Sequence, residues 1–184
     1  MSDNSNNYKT GSFYRRFFAN QLDQLINVSI CLILPLLVAI SIYSAGSANL
    51  TGSLINSAAV FMLVMLLLSV GCFFIMWIFS YKYGGSVGKL LFGMRIIDAQ
   101  GKYMDRITAF WRMTAGYAVS AGFLFLGFFW IFRRKENLAW HDRIFDTKVI
   151  KVGSPLWGML WMVLLTVFCV LATVFSVSLF IPTL

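Results

Sequence analysis

The chain has 184 residues, of which 59% are hydrophobic and only 12% charged, and its formal net charge is +8. A soluble domain carries roughly 25% charged residues, so a water-soluble globular fold is excluded. The Lys and Arg residues flank apolar runs and build no separate basic domain, which argues against nucleic acid as a partner and for membrane topology signals.

In chain order, "MSDNSNNYKTGS" is polar and reads as a disordered cytoplasmic tail. "RRFFANQLDQLIN" (Arg15–Asn27) then leads into a first apolar run, Leu25–Ala45. The run is too long for the core of a cleaved signal peptide and Asp23 stands at its mouth, so an uncleaved span is expected. Arg16, Asn20, Asp23 and Asn27 are four, three and four residues apart. That spacing puts them on one helical face over about 16 Å of rise. A charge facing lipid costs about 2.5–3.5 kcal/mol at the bilayer centre. The stripe is therefore expected to face protein or water. It is either an interfacial anchor whose charges pair internally or a wet path open to the cytoplasm. Arg16 and Asp23 are two turns apart, so each needs another partner. Asp142 is the candidate for Arg16, and Arg112 for Asp23.

The second apolar run is Ala58–Tyr81. "GGSVGKLL" (Gly84–Leu91) after it has the look of a phosphate loop. The motif needs four residues between its glycines and a hydroxyl after the lysine; here there are three, and Leu90 follows. A turn at the membrane surface, with Lys89 and Arg95 on anionic headgroups, is the better reading. "FGMRIIDAQGKYM" and "DTKVIKV" alternate like short strands and are expected to pair as a clip.

Ile107–Phe132 is apolar but broken by Arg112, Gly116, Gly122 and Gly127. Lys and Arg number three before the first run, none in Gly46–Ser57, six after the second run, six before the last and none beyond it. The positive-inside rule places the N terminus in the cytoplasm. All fifteen basic residues stay there only if Ile107–Phe132 enters the bilayer and returns, so a re-entrant hairpin is expected. The last run, Leu156–Phe180, then leaves the C terminus on the outer face. The expected architecture is an all-α integral membrane protein with three full transmembrane helices, a re-entrant helical hairpin and a small β-hairpin-like cytoplasmic clip. Its parts are a tail (1–12), a membrane domain (13–152) and an additional C-terminal helix (153–184).

Little catalytic chemistry is visible. Cys31, Cys72 and Cys169 lie within spans without redox or metal spacing. His141 is the single histidine, which excludes a multi-histidine metal site in one chain. In "WHDRIFD", His141 and Asp142 are adjacent, and adjacent helical residues point apart. No nucleophile accompanies them, so no enzyme, cofactor or metal is expected, and Asp142 is expected to pair with an arginine.

"RRFFANQLD", "GGSVGKLLFGMRIIDAQGK" and "LAWHDRIFDTKVIKV" occur in an order that resembles the RDD family of bacterial membrane proteins, from Phe13 to Val152. The resemblance identifies Arg16 as the family's arginine, and Asp23 and Asp142 as its two aspartates. It implies a multi-pass protein of the bacterial inner membrane, in contact with membrane lipids. It also implies one of two roles. The first is a non-catalytic subunit or adaptor of a larger complex, favoured by small size, a bare outer face and the extra apolar helix. The second is a small oligomeric transporter or ion/proton-coupled antiporter component, favoured by the polar stripe and by the family's usual assignment. That component would use the Arg16/Asn20/Asp23/Asn27 face; with Arg112 and Asp142 these residues form either a polar path or a structural ion-pair network. The partners are accordingly other membrane subunits or further copies of the chain.

Overall fold

The structure, a computed structural model, describes residues 9–45, 50–116, 118–119 and 138–180; the side chains at 34, 35, 38–45, 50–61, 179 and 180 lie outside that description. The elements in order are α1 (Phe13–Ala45), α2 (Leu50–Tyr83), α3 (Val87–Leu91), β1 (Met94–Asp98) and α4 (Arg106–Trp111). There follow a one-turn π-helix (Arg112–Gly116), α5 (Trp140–Ile144), β2 (Thr147–Lys151) and α6 (Leu156–Phe180). They form two compact units: Met1–Asp23 with Phe74–Leu160, and Gln24–Phe73 with Trp161–Leu184. The boundaries cut through α1, α2 and α6, so the units are not sequence domains. They separate chemistry instead: every Asp, Glu, Lys and Arg of the sequence falls within the first unit's ranges.

Two stretches are long and apolar enough to cross a membrane, Met62–Tyr83 of α2 and Leu156–Ser178 of α6. Their large apolar side chains, among them Leu66, Leu67, Val163 and Leu171, are exposed. Such a surface is stable in lipid and not in water. α1 is helical throughout Leu25–Ala45, where the first span is expected. Of the segment read as a re-entrant hairpin, only the beginning is described; residues 120–137, where its turn and return are expected, lie outside the described residues.

The first unit is built on the expected clip. β1 and β2 pair antiparallel in the register Met94↔Lys151 to Asp98↔Thr147. Met94, Ile96 and Val149 are buried beneath it together with Ala19, Leu22 and Phe92. The β-branched residues suit the pleated pair, and α1 supplies the small residue, Ala19, that lets the helix lie close. The polar tail ends earlier than its composition suggests. Thr10 bridges to Ile150, Gly11 N donates to Val149 O at 2.8 Å, and Lys151 N donates to Lys9 O at 2.9 Å. The free edge of β2 has donors and acceptors to satisfy, and Lys9–Gly11 satisfies them.

Gly93, between α3 and β1, sets the approach of the chain to the start of α6. Its φ is +62°, and a Cβ there would stand 2.5 Å from the Gly153 carbonyl carbon. Its own carbonyl accepts from Val152 N at 2.9 Å and Gly153 N at 3.0 Å. The obstacle is backbone on both sides, so no rotamer change relieves it. Gly93→Ala is expected to lower stability by about 1–3 kcal/mol, the usual range for overpacking. A melting temperature in mild detergent checks this, with Gly101→Ala (φ +81° and open space around it) as the control that reports backbone strain alone.

Candidate functional site: a buried arginine–aspartate network

The site is assembled by four elements of the first unit. Asp142 sits in the first turn of α5, and its carboxylate folds back so that Oδ2 accepts from Ala139 N at 3.2 Å. This is one half of a helix capping arrangement. From α1, Arg16 Nη1 donates to the same Oδ2 at 2.5 Å. From the π-helix, Arg112 Nη2 donates to Oδ1. Arg112 Nε donates to Thr147 Oγ1 of β2 at 3.0 Å, and Arg16 Nε to Gly11 O at 3.1 Å. The Arg112 and Asp142 residues are 1% exposed and Arg16 8%. Two guanidiniums therefore enclose one carboxylate, almost without water.

Burial alone pushes the Asp142 carboxyl up. The guanidiniums of Arg112 and Arg16 more than reverse this, holding it well below the usual carboxylate range. His141 Nε2 lies 3.4 Å from Asp142 Oδ1. The two were expected to diverge as helical neighbours, but the capping turn of Asp142 brings its carboxylate back towards the ring. They are not an ion pair, because burial, reinforced by Arg112, pushes the imidazole down to about 3. The ring is neutral at ordinary pH.

Asp23 belongs to a second constellation. Its Oδ1 accepts from Gly88 N at 2.6 Å and its Oδ2 from Ser86 Oγ at 2.5 Å. The "GGSVGKLL" stretch thus does hold an anion at a helix start, but the anion is the chain's own carboxylate. Gly88 is obligatory for this: a Cβ would stand 2.1 Å from Ala19 O and 2.9 Å from Asp23 Oδ1. Lys89, next in sequence, is only 7% exposed, and its charge acts on Asp23. It is therefore not the headgroup ligand expected from its place after a span. Arg95 instead donates to Tyr83 O at 2.9 Å and lies over the Tyr103 ring.

Arg112, expected against Asp23, lies against Asp142 instead. The carboxylate of Asp23 is already supplied by α3, and the π-helix delivers Arg112 to α5 and β2. Asn20 is exposed rather than part of a buried stripe. At about 100° per residue the buried side of α1 centres on Ala19, with Arg16 and Asp23 on one flank and Leu22 on the other. Asn20 falls outside that arc. Asn27 lies in the second unit, where its Oδ1 is buried without a hydrogen-bond partner among the described residues. Sequence reasoning missed Ser86, Gly88 and Thr147, and also Arg15. Arg15 Nε donates to Phe92 O at 2.7 Å, and its Nη2 donates to Gly153 O. The Arg15–Arg16 doublet was the available signal: on a helix its members diverge by about 100°, so one reaches the α3–β1 turn and the other α5.

Among the described residues no three or more His, Cys, Asp and Glu side chains gather where they could hold a metal ion. The arrangement is suited to locking elements together. Replacing Asp142 with Asn leaves two guanidiniums without their counter-charge and is expected to cost about 3–5 kcal/mol. For pH, His141 binds a proton in the unfolded chain below its ordinary value of 6.5 but in the folded chain only near 3. Stability therefore falls as pH drops through that window, by at most about 1.4 kcal/mol per pH unit from this residue. Asp142, depressed further, adds a loss of the same sign at lower pH. Thermal melts across pH 4–7 check this, and His141→Gln is expected to flatten the upper part of the profile.

A profile of the RDD family matches residues 10–146, most of the chain. Comparison with curated proteins and with solved structures gave no match.

Proposed function

The chain belongs to the RDD family, and we propose that it is a non-catalytic subunit or adaptor of a larger protein complex in the bacterial inner membrane. In this reading it crosses the bilayer three times, by the apolar parts of α1, α2 and α6, with the N terminus in the cytoplasm. The observation that carries the reading is the state of the two aspartates. Intramembrane carboxylates in pumps and transporters act as relays, and a relaying carboxylate must be free to exchange partners. Here Asp142 is enclosed by Arg16, Arg112 and Ala139 N, and Asp23 by Ser86 and Gly88. These contacts join α1 to α3 and α5, and Arg112 Nε on Thr147 Oγ1 extends them to β2, as a structural core for presenting membrane helices would require.

A second reading, a small oligomeric transporter or ion/proton-coupled antiporter component, is favoured by one observation. Asn27 Oδ1 is a buried acceptor without a partner among the described residues, which suits water entering along α1. The two readings part in a simple experiment. The adaptor reading expects a stoichiometric membrane-protein partner after purification in mild detergent, and no sodium or proton flux from the pure chain in liposomes. Flux above that of empty liposomes, abolished in Asp23→Asn with an unchanged melting temperature, would reverse the assignment.

A further inference from the structure

The first unit contains an open groove of about 290 Å³, lined among others by Tyr83, Leu90, Met94, Arg95, Val152 and Gly153. Its position along the chain is specific. Tyr83 is the last residue of the Met62–Tyr83 span, and Gly153 precedes the Leu156–Ser178 span by three residues. The groove therefore opens where two spans end, at the depth of lipid headgroups. Its chemistry is mixed: Leu90 and Val152 bring apolar side chains, Met94 is fully buried and lies behind the groove wall, and Arg95 is the cation.

The Arg95 side chain is already oriented. Nη1 donates to Tyr83 O and Tyr103 Oη, and the guanidinium carbon sits 5.4 Å from the centre of the Tyr103 ring. Nε and Nη2 have no hydrogen bond among the described residues. A guanidinium fixed through one nitrogen, with two donors left over, presents the planar edge that binds a phosphate through paired hydrogen bonds. Lys82 and Lys151, each next in sequence to a lining residue, are exposed and add positive charge.

We propose that this groove is a binding site for the phosphate of an anionic membrane phospholipid, with Arg95 as the phosphate ligand. Leu90 and Val152 accommodate the glycerol and the first acyl carbons. The site moves the headgroup role from the Lys89–Arg95 pair, as the sequence suggests it, to Arg95 alone. It is independent of whether the chain is an adaptor or a transporter.

The test uses the full chain in mild detergent, with thermal unfolding and native mass spectrometry as readouts. The probes are phosphatidylglycerol, phosphatidylcholine and soluble glycerol phosphate. Phosphatidylglycerol is expected to bind and stabilise the wild type in preference to phosphatidylcholine. Arg95→Gln is expected to weaken it about fivefold or more, the loss of one cation at a membrane surface. Arg95→Lys should retain part of the affinity. Because Arg95 also holds Tyr83 and Tyr103, Val152→Glu is the second variant. Val152 is 58% exposed, so the new carboxylate repels the lipid without touching those contacts. It should abolish the preference and leave the lipid-free melting temperature unchanged. The proposal is overturned if the two lipids stabilise equally, if Val152→Glu keeps the preference, or if glycerol phosphate protects as well as the lipid at equal concentration.

Discussion

The first unit depends on one carboxylate. Asp142 is reached from α1 by Arg16 and from the π-helix by Arg112, while its own helix supplies Ala139 N and Arg112 ties the group to Thr147 of β2. Bringing three charged groups out of water is costly, and their mutual attraction offsets that cost only when the geometry is close and the remaining donors are satisfied. The contacts to Asp142 are close, and Arg112 Nε and Arg16 Nε each have an acceptor of their own in Thr147 Oγ1 and Gly11 O. The consequence is asymmetric. The intact network adds modestly to net stability, but removal of its anion leaves two buried guanidiniums facing each other. This is why the neutral state of His141 matters: a third cation at 3.4 Å from the same carboxylate would compete for it.

The Asp23 constellation follows a different principle at the same helix. A carboxylate approaches the start of α3 closely enough to accept Gly88 N and Ser86 Oγ, and it does so because position 88 has no Cβ. The two aspartates thus hold opposite ends of one interaction surface of α1. Arg15, aimed at the carbonyls of Phe92 and Gly153, closes the third side. The beginning of α1 is fastened to α3, α5, β2 and the α3–β1 turn before the helix becomes apolar. A membrane helix that starts with Arg, Asn, Asp and Asn is consistent with this: Arg16 and Asp23 pair with protein, while Asn20 is exposed and Asn27 Oδ1 is buried without a partner among the described residues.

Much of this was legible in the sequence because it rests on periodicity and composition. The two strands announced themselves by alternation and by the turn at Gly101, and α2 and α6 by length and apolarity. The grouping of Arg16 and Asp23 on one side of α1 followed from helical spacing. What was not legible depends on contacts between distant segments. No local pattern distinguishes an arginine that pairs with Asp23 from one that pairs with Asp142. That choice is made by the π-helix, which aims Arg112 at α5. Lys89 looked like a surface cation because it follows a span, yet the turn at Gly84–Ser86 folds α3 back over α1 and buries it. Gly88 looked like a loop residue and is a packing residue, because its reason lies in Ala19, sixty-nine positions away.

The measurement that tests the central claim most directly is a double-mutant cycle on Asp142 and Arg112, read by thermal unfolding of the full chain in mild detergent. If Asp142 is the counter-charge that makes burial of Arg112 tolerable, then Asp142→Asn is far less damaging in an Arg112→Gln background, with a coupling of about 1–3 kcal/mol. Additive losses, agreeing to within about 0.5 kcal/mol, would mean that the two side chains do not share an interaction and would contradict the account.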